Sequence, residues 1–211
     1  HLFDHGAVGF EDTIALIEKH GGMWFGAGKD LQQALKPIEL SANGYSRGLL
    51  GIAHNEGMIA SSNSAGVLCE TSQNDIAKVV LEYKKTGKQL ILNYHGGEEY
   101  TRYPAPNRRK YLQKLVVDTN SLVVVHHSHT LHGVERFNGH HFFYSLVNFV
   151  FFLKLQANRR YINDSAILFA EFDKEVGHHE WLPIHINIDR GIIETRSEES
   201  FKNEMASLSN W

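Results

Sequence analysis

The chain has 211 residues, 42% hydrophobic and 21% charged, which suffices for one sizeable globular core. A formal net charge of −3 with no long basic run argues against a nucleic-acid surface, and no segment reaches the ~20 consecutive apolar residues of a membrane-spanning helix. A single cysteine, Cys69, rules out an intrachain disulfide, while histidine is over-represented at 14.

Taken in order, Phe10 to His20 reads as a helix with Phe10, Ile14 and Ile17 on one face and Glu11 and Asp12 in its first turn; Gly21-Gly22 stops it. Met23 to Phe25 reads as a short strand and Gly26-Ala27-Gly28 as a plain tight turn. Asp30 caps a short helix through Leu35. Pro37 to Leu40 and Tyr45 to Ala53 form a hairpin around Asn43-Gly44, and His54 to Thr71 reads as a surface loop. Asn74 to Thr86 is a second helix, ended by Gly87, and Gln89 to Asn93 a strand that runs into Tyr94-His95-Gly96-Gly97-Glu98-Glu99-Tyr100. Asn107 to Asp118 is a third helix. It precedes Leu122 to Val125, a β-branched run typical of a buried strand. Helix, strand and polar motif therefore occur twice in succession, an order that makes the two strands parallel and puts both motifs at one sheet edge.

The second polar motif, His126-His127-Ser128-His129, lies where open α/β sheets place their ligand sites, beyond the carboxyl ends of the strands. His127 and His129 flank one residue, so in an extended segment their imidazoles point the same way, as half of a metal site would require. Phe142 to Leu153 reads as two buried strands with a turn. His140-His141, after the Asn138-Gly139 turn, and His178-His179, in a polar turn, read as exposed. Glu135 reads either as a support to the site or as half of a surface ion pair worth little. Ser165 to Phe172 and His185 to Ile188 form antiparallel strands, and Glu194 to Trp211 is a polar, helical tail.

HHSHTLHGVERFNGHHFFYSLVNFVF, His126 to Phe151, resembles the bacterial capsule-synthesis family linked to poly-γ-glutamate, which reads GHHPH, then a run like VLQGIE, then YSLGNFVF. Tyr94 to Tyr100 resembles its HWGxEY motif, and HLFDHGAVGF at the start resembles a segment that lies inside a family motif, so that a first strand and further acidic motifs are expected upstream of His1. The sequence departs from the pattern at Val125, Ser128 and Val147, where the family has Gly, Pro and Gly, and at Gly96, where it has Trp. A valine where the backbone needs a positive φ would be strained.

The resemblance implies an α/β fold of the metallophosphoesterase type, a four-layer α/β/β/α sandwich in one domain over residues 1–211, incomplete at its N-terminus. It implies metal ligands at His1, His95, His127 and His129, catalytic roles for His95, Glu99 and His127, and two divalent ions (manganese, iron or zinc) in the full-length protein. It also implies an anionic polymer or a phosphate- or carboxylate-bearing substrate, other capsule-synthesis proteins as partners, and a place in the cell envelope. Two readings stay open: a metal-dependent hydrolase of exopolymer biosynthesis, or a non-catalytic protein that guides an anionic polymer and keeps a vestigial site.

Overall fold

The computed structural model describes residues 1–54, 57–116, 121–151, 161–172 and 176–209. The chain divides into two compact units, His1–His95 and Gly96–Trp211. Among the described residues no helix is long and apolar enough to cross a membrane.

The first unit opens with α1 (Gly6–Lys19), which starts a turn earlier than its apolar pattern indicates, so Glu11 and Asp12 lie beyond the first turn. Gly21 (φ 73°) turns the chain, and the Gly22 N–H returns to Ile17 O at 2.9 Å. Phe10 meets Phe3 and Trp24 in a small core. The strand expected at Met23 to Phe25 is absent. Pairing falls instead on β1 (Ala27–Gly28), within the expected turn, and α2 (Leu31–Ala34) follows behind the Asp30 cap. Gly26 explains the shift: at φ +80° it approaches Gly51 so closely that a Cβ would stand 2.8 Å from the Gly51 Cα. β2 (Ile38–Ala42) and β3 (Tyr45–Ala53) form the expected hairpin, with Asn43 and Gly44 both at positive φ, as a type I′ turn requires. The stretch read as a surface loop contributes β4 (Gly66–Val67), antiparallel to β1, and buries Leu68 and Cys69 fully. A short 3-10 turn leads into α3 (Gln73–Thr86), which ends at Gly87 in the left-handed region. β5 (Gln89–His95) then pairs parallel with β3, bringing both carboxyl ends to one edge.

The second unit contains α4 (Pro106–Leu115), β6 (Ser121–His126), β7 (Val134–Phe137) and β8 (His140–Phe143). β8 runs parallel to β6 and antiparallel to β7. A second, antiparallel sheet is built from β9 (Asp164–Phe172), β10 (Val176–Asn187) and β11 (Ile192–Thr195), followed by α5 (Glu198–Leu208). The two sheets face each other where Phe143 of β8 meets His179 and Trp181 of β10, at ring separations of 5.3 and 5.2 Å. Phe201 and Leu208 of α5 pack with Leu131 and Ala166.

This arrangement corrects three expectations. Phe142 and Phe143 complete β8 in the first sheet, and no strand follows at 144–151; Phe149 and Val150 are exposed there, and residues 152–160 lie outside the described ones. His140 and His141 are buried, because β8 is covered on both faces. His178 and His179 belong to β10, which begins at Val176, and not to a turn; residues 173–175 lie outside the described ones. The architecture is mixed α/β, consistent with the metallophosphoesterase type.

Candidate metal centre

β6 is buried along Ser121 to Val125 and emerges at His126, whose pKa is held below the usual histidine range by burial. The next four residues are not extended: His127 and His129 have φ of 98° and 55°. The two rings still come together, with centroids 6.3 Å apart and planes tilted by 44°. They meet because the loop curls, not because alternate side chains share a strand face. Ser128, in the place of a family proline, is buried at the centre of the curl. Its Oγ lies 2.9 Å from both Thr130 O and Ser145 Oγ, and its carbonyl accepts the Tyr100 N–H at 2.7 Å. Thr130 Oγ1 and His132 Nε2 both donate to Thr101 O, tying the loop to the HGGEEY segment.

His129 is the better-defined half of the pair. Its ring lies between Tyr100 and Phe151, stacked at 5.8 and 5.1 Å, and its Nδ1 is 2.8 Å from Asn148 Oδ1. Val147, one residue before Asn148, has φ 70°, so the expectation that a family glycine here serves a positive φ is correct. Val125, the other departure, sits in β6 and is not among the positive-φ residues.

The remaining assigned residues are placed as follows. Glu99 is exposed, and it is its neighbour Tyr100, itself at φ 62°, whose ring meets His129. His1 is 96% exposed and paired to Asp4 at 2.9 Å. His95 ends β5 and is exposed; its carbonyl accepts the His54 N–H at 2.8 Å.

Two constellations escaped the sequence reading. In the first unit, Glu70 accepts from Tyr94 Oη at 2.5 Å and engages His54 Nδ1 at 2.6 Å, at the carboxyl edge of β3 and β5. The partners lie 16 and 24 residues from Glu70, so no local spacing announces them. In the second unit, Glu135 is half of an ion pair, as one of the two readings had it, but its carboxylate is largely buried and not at the surface. It accepts from Arg109, from Gln113 Nε2 at 3.0 and 3.1 Å, and from Tyr144 Oη at 2.6 Å. Burial raises its pKa, but the hydrogen bonds from Arg109, Tyr144 and Gln113 outweigh it and hold the carboxyl below the usual range.

Do these residues suit a metal? With a nitrogen–zinc bond of about 2.1 Å, two imidazoles sharing one tetrahedral ion place their ring centres roughly 5–5.5 Å apart. The His127–His129 pair, at 6.3 Å, stands somewhat wider than this, so the rings must close together by roughly 1 Å to share one ion. Neutral imidazole suits zinc and other first-row ions. Among the described residues no group of three or more His, Cys, Asp and Glu side chains stands ready to hold an ion, so the pair offers two donors of a set.

Residues 1–152 match the family model described as bacterial capsule synthesis protein PGA_cap. The chain is 31% identical over 191 residues to the PGA biosynthesis protein CapA of Bacillus subtilis (strain 168), covering 89% of this chain and 49% of that protein. It is 32% identical over 157 residues to the capsule biosynthesis protein CapA of Bacillus anthracis, covering 72% of this chain and 38% of that protein. The chain thus spans about half or less of the length of these relatives. Two strand-terminal motifs, a valine strained where the motif calls for glycine, and a family match over most of its length lead to one conclusion: this chain belongs to the bacterial capsule synthesis protein (PGA_cap) family.

Proposed function

We propose that the protein acts in the biosynthesis of a capsule or exopolymer of the poly-γ-glutamate type, and that His127 and His129 hold a divalent ion in a hydrolase-like site. The biosynthetic role rests on the relatives named above. The observation that carries the metal reading is the meeting of two imidazoles in a loop that closes a buried strand, one ring held between two aromatic faces. Zinc, manganese or iron bound there would polarise a phosphoryl or acyl oxygen and lower the pKa of bound water. The chain's own contribution is to stack and orient His129 and to pin the loop through Ser128. His1 and His95 are proposed as further ligands, so that His95 and His127 act catalytically through the ion, and Glu99 is proposed as the proton-transfer group. The substrate is an anionic polymer or a phosphate- or carboxylate-bearing precursor.

The absence of a third ligand-type side chain beside the pair, among the described residues, favours a second reading, in which the protein guides the polymer without cleaving it. Calorimetric titration with zinc and manganese at neutral pH tests the first. His127→Ala and His129→Ala are expected to abolish binding, and His1→Ala and His95→Ala to weaken it. His20→Ala, in an exposed position at the end of α1, is expected to leave it unchanged. Equal zinc affinity in His127→Ala and His20→Ala would show that the motif is only a polar loop.

A further inference from the structure

We infer that Asn148 is a positioning residue that locks His129 in the Nδ1–H tautomer and so presents Nε2 as the ring's lone-pair atom. A backbone carbonyl only accepts. Ile162 O lies 3.2 Å from the Asn148 amide, so the NH2 of Asn148 faces Ile162 and its Oδ1 faces the other way. Oδ1 is 2.8 Å from His129 Nδ1 and also only accepts, so Nδ1 must carry the proton. In the neutral ring the lone pair then belongs to Nε2.

The relay is itself held in place. Ser165, a buried residue of β9, lies with its Oγ 2.7 Å from Leu146 O and 2.5 Å from Asn148 O, clamping the backbone on either side of Val147. The Val147 N–H donates to Ser145 Oγ at 3.2 Å, and the φ of 70° at Val147 turns the chain so that Asn148 follows directly. Stacking on Tyr100 and Phe151 sets the plane of the imidazole but cannot choose between its nitrogens; Asn148 chooses. Imidazoles that ligate metals are commonly fixed in this way by an acceptor on the second nitrogen.

The tautomer is independent of any ion. Only the affinity arm of the test rests on the metal reading. Nitrogen-15 NMR of the imidazoles, with His129 assigned by its loss in His129→Ala, reads the tautomer in the 211-residue protein. The wild type is expected to show Nδ1–H. Asn148→Leu removes the acceptor and should turn His129 to an Nε2–H majority. Asn148→Asp keeps an acceptor oxygen and should restore Nδ1–H. Zinc affinity should fall on the order of 10- to 100-fold in Asn148→Leu and recover in Asn148→Asp. An Nε2–H ring in the wild type, or an Nδ1–H ring that persists in Asn148→Leu, overturns the inference. Should Asn148→Leu fail to fold, Asn148→Asp decides alone, since an Nε2–H majority there refutes it. A tautomer that shifts as described, in a protein whose zinc affinity ignores His127→Ala, upholds the positioning role and ends the metal reading.

Discussion

Arg109→Met should expose the cost of the buried carboxylate at Glu135. The Glu135 side chain is 9% exposed and Arg109 31%, and the guanidinium forks onto both carboxylate oxygens. Removing one partner of a buried ion pair costs about 3–5 kcal/mol. Two donors, Gln113 and Tyr144, remain after the substitution, and the site at Arg109 is open enough for water to approach. We therefore expect a loss of about 2–3 kcal/mol at neutral pH, or roughly 5–10 °C in Tm for a chain of this size. The pH dependence supplies the sharper test. In the wild type, burial raises the pKa of Glu135 but its hydrogen bonds lower it further, so its contribution is complete above the unfolded value of about 4.3 and is lost as pH falls through the folded value. Without Arg109, burial loses its strongest opponent and the carboxyl takes up a proton at higher pH. The difference between wild type and variant should then be largest near pH 7 and shrink towards about pH 4. Urea unfolding at a series of pH values measures both. A loss below about 0.5 kcal/mol, or one that does not change with pH, would refute the assignment of Glu135 as a buried anion held by Arg109.

Three other outcomes are expected. His132 is 4% exposed and burial pushes its pKa down to about 4; a histidine kept neutral in this way loses stability as pH falls below the unfolded value of about 6.5 and on towards 4. His132→Gln, which can still donate to Thr101 O, should flatten that acid limb in thermal melts, and an unchanged limb would count against it. Val147→Gly should leave stability within about 1 kcal/mol of wild type, because relief of about 1–2 kcal/mol of left-handed strain offsets the lost packing and the entropy of glycine; a chemical-denaturation loss above about 2 kcal/mol would contradict this. A Cβ at Gly133 would stand 2.2 Å from the Leu208 carbonyl, so Gly133→Ala should displace α5, seen as faster proteolysis within Glu198–Leu208; unaltered protection there would disprove the close approach.

What the sequence by itself determined is what depends on neighbours along the chain. Asn43-Gly44 and Asn138-Gly139 make turns with both residues at positive φ, Gly87 ends its helix in the left-handed region, and Asp30 caps its own. Each outcome follows from the conformational range of one or two residues. The motif around His127 and His129 was legible for the same reason, as a polar stop after a β-branched run. Its conformation was not: alternation presumes an extended chain, and both histidines are left-handed. Only the tertiary structure decided which polar groups are buried. His140 and His141 follow a turn, as exposed residues would, yet His141 is covered by His179 of a distant sheet and His140, on the opposite face, accepts the Ser121 N–H of β6. Glu135 looks like a surface charge until Arg109 and Gln113 of α4, 26 and 22 residues away, close over it. His54, Glu70 and Tyr94 carry no shared spacing at all. Local sequence sets which backbone conformations are cheap; burial and hydrogen-bond partners depend on which surfaces meet, and that is a property of the whole packed chain.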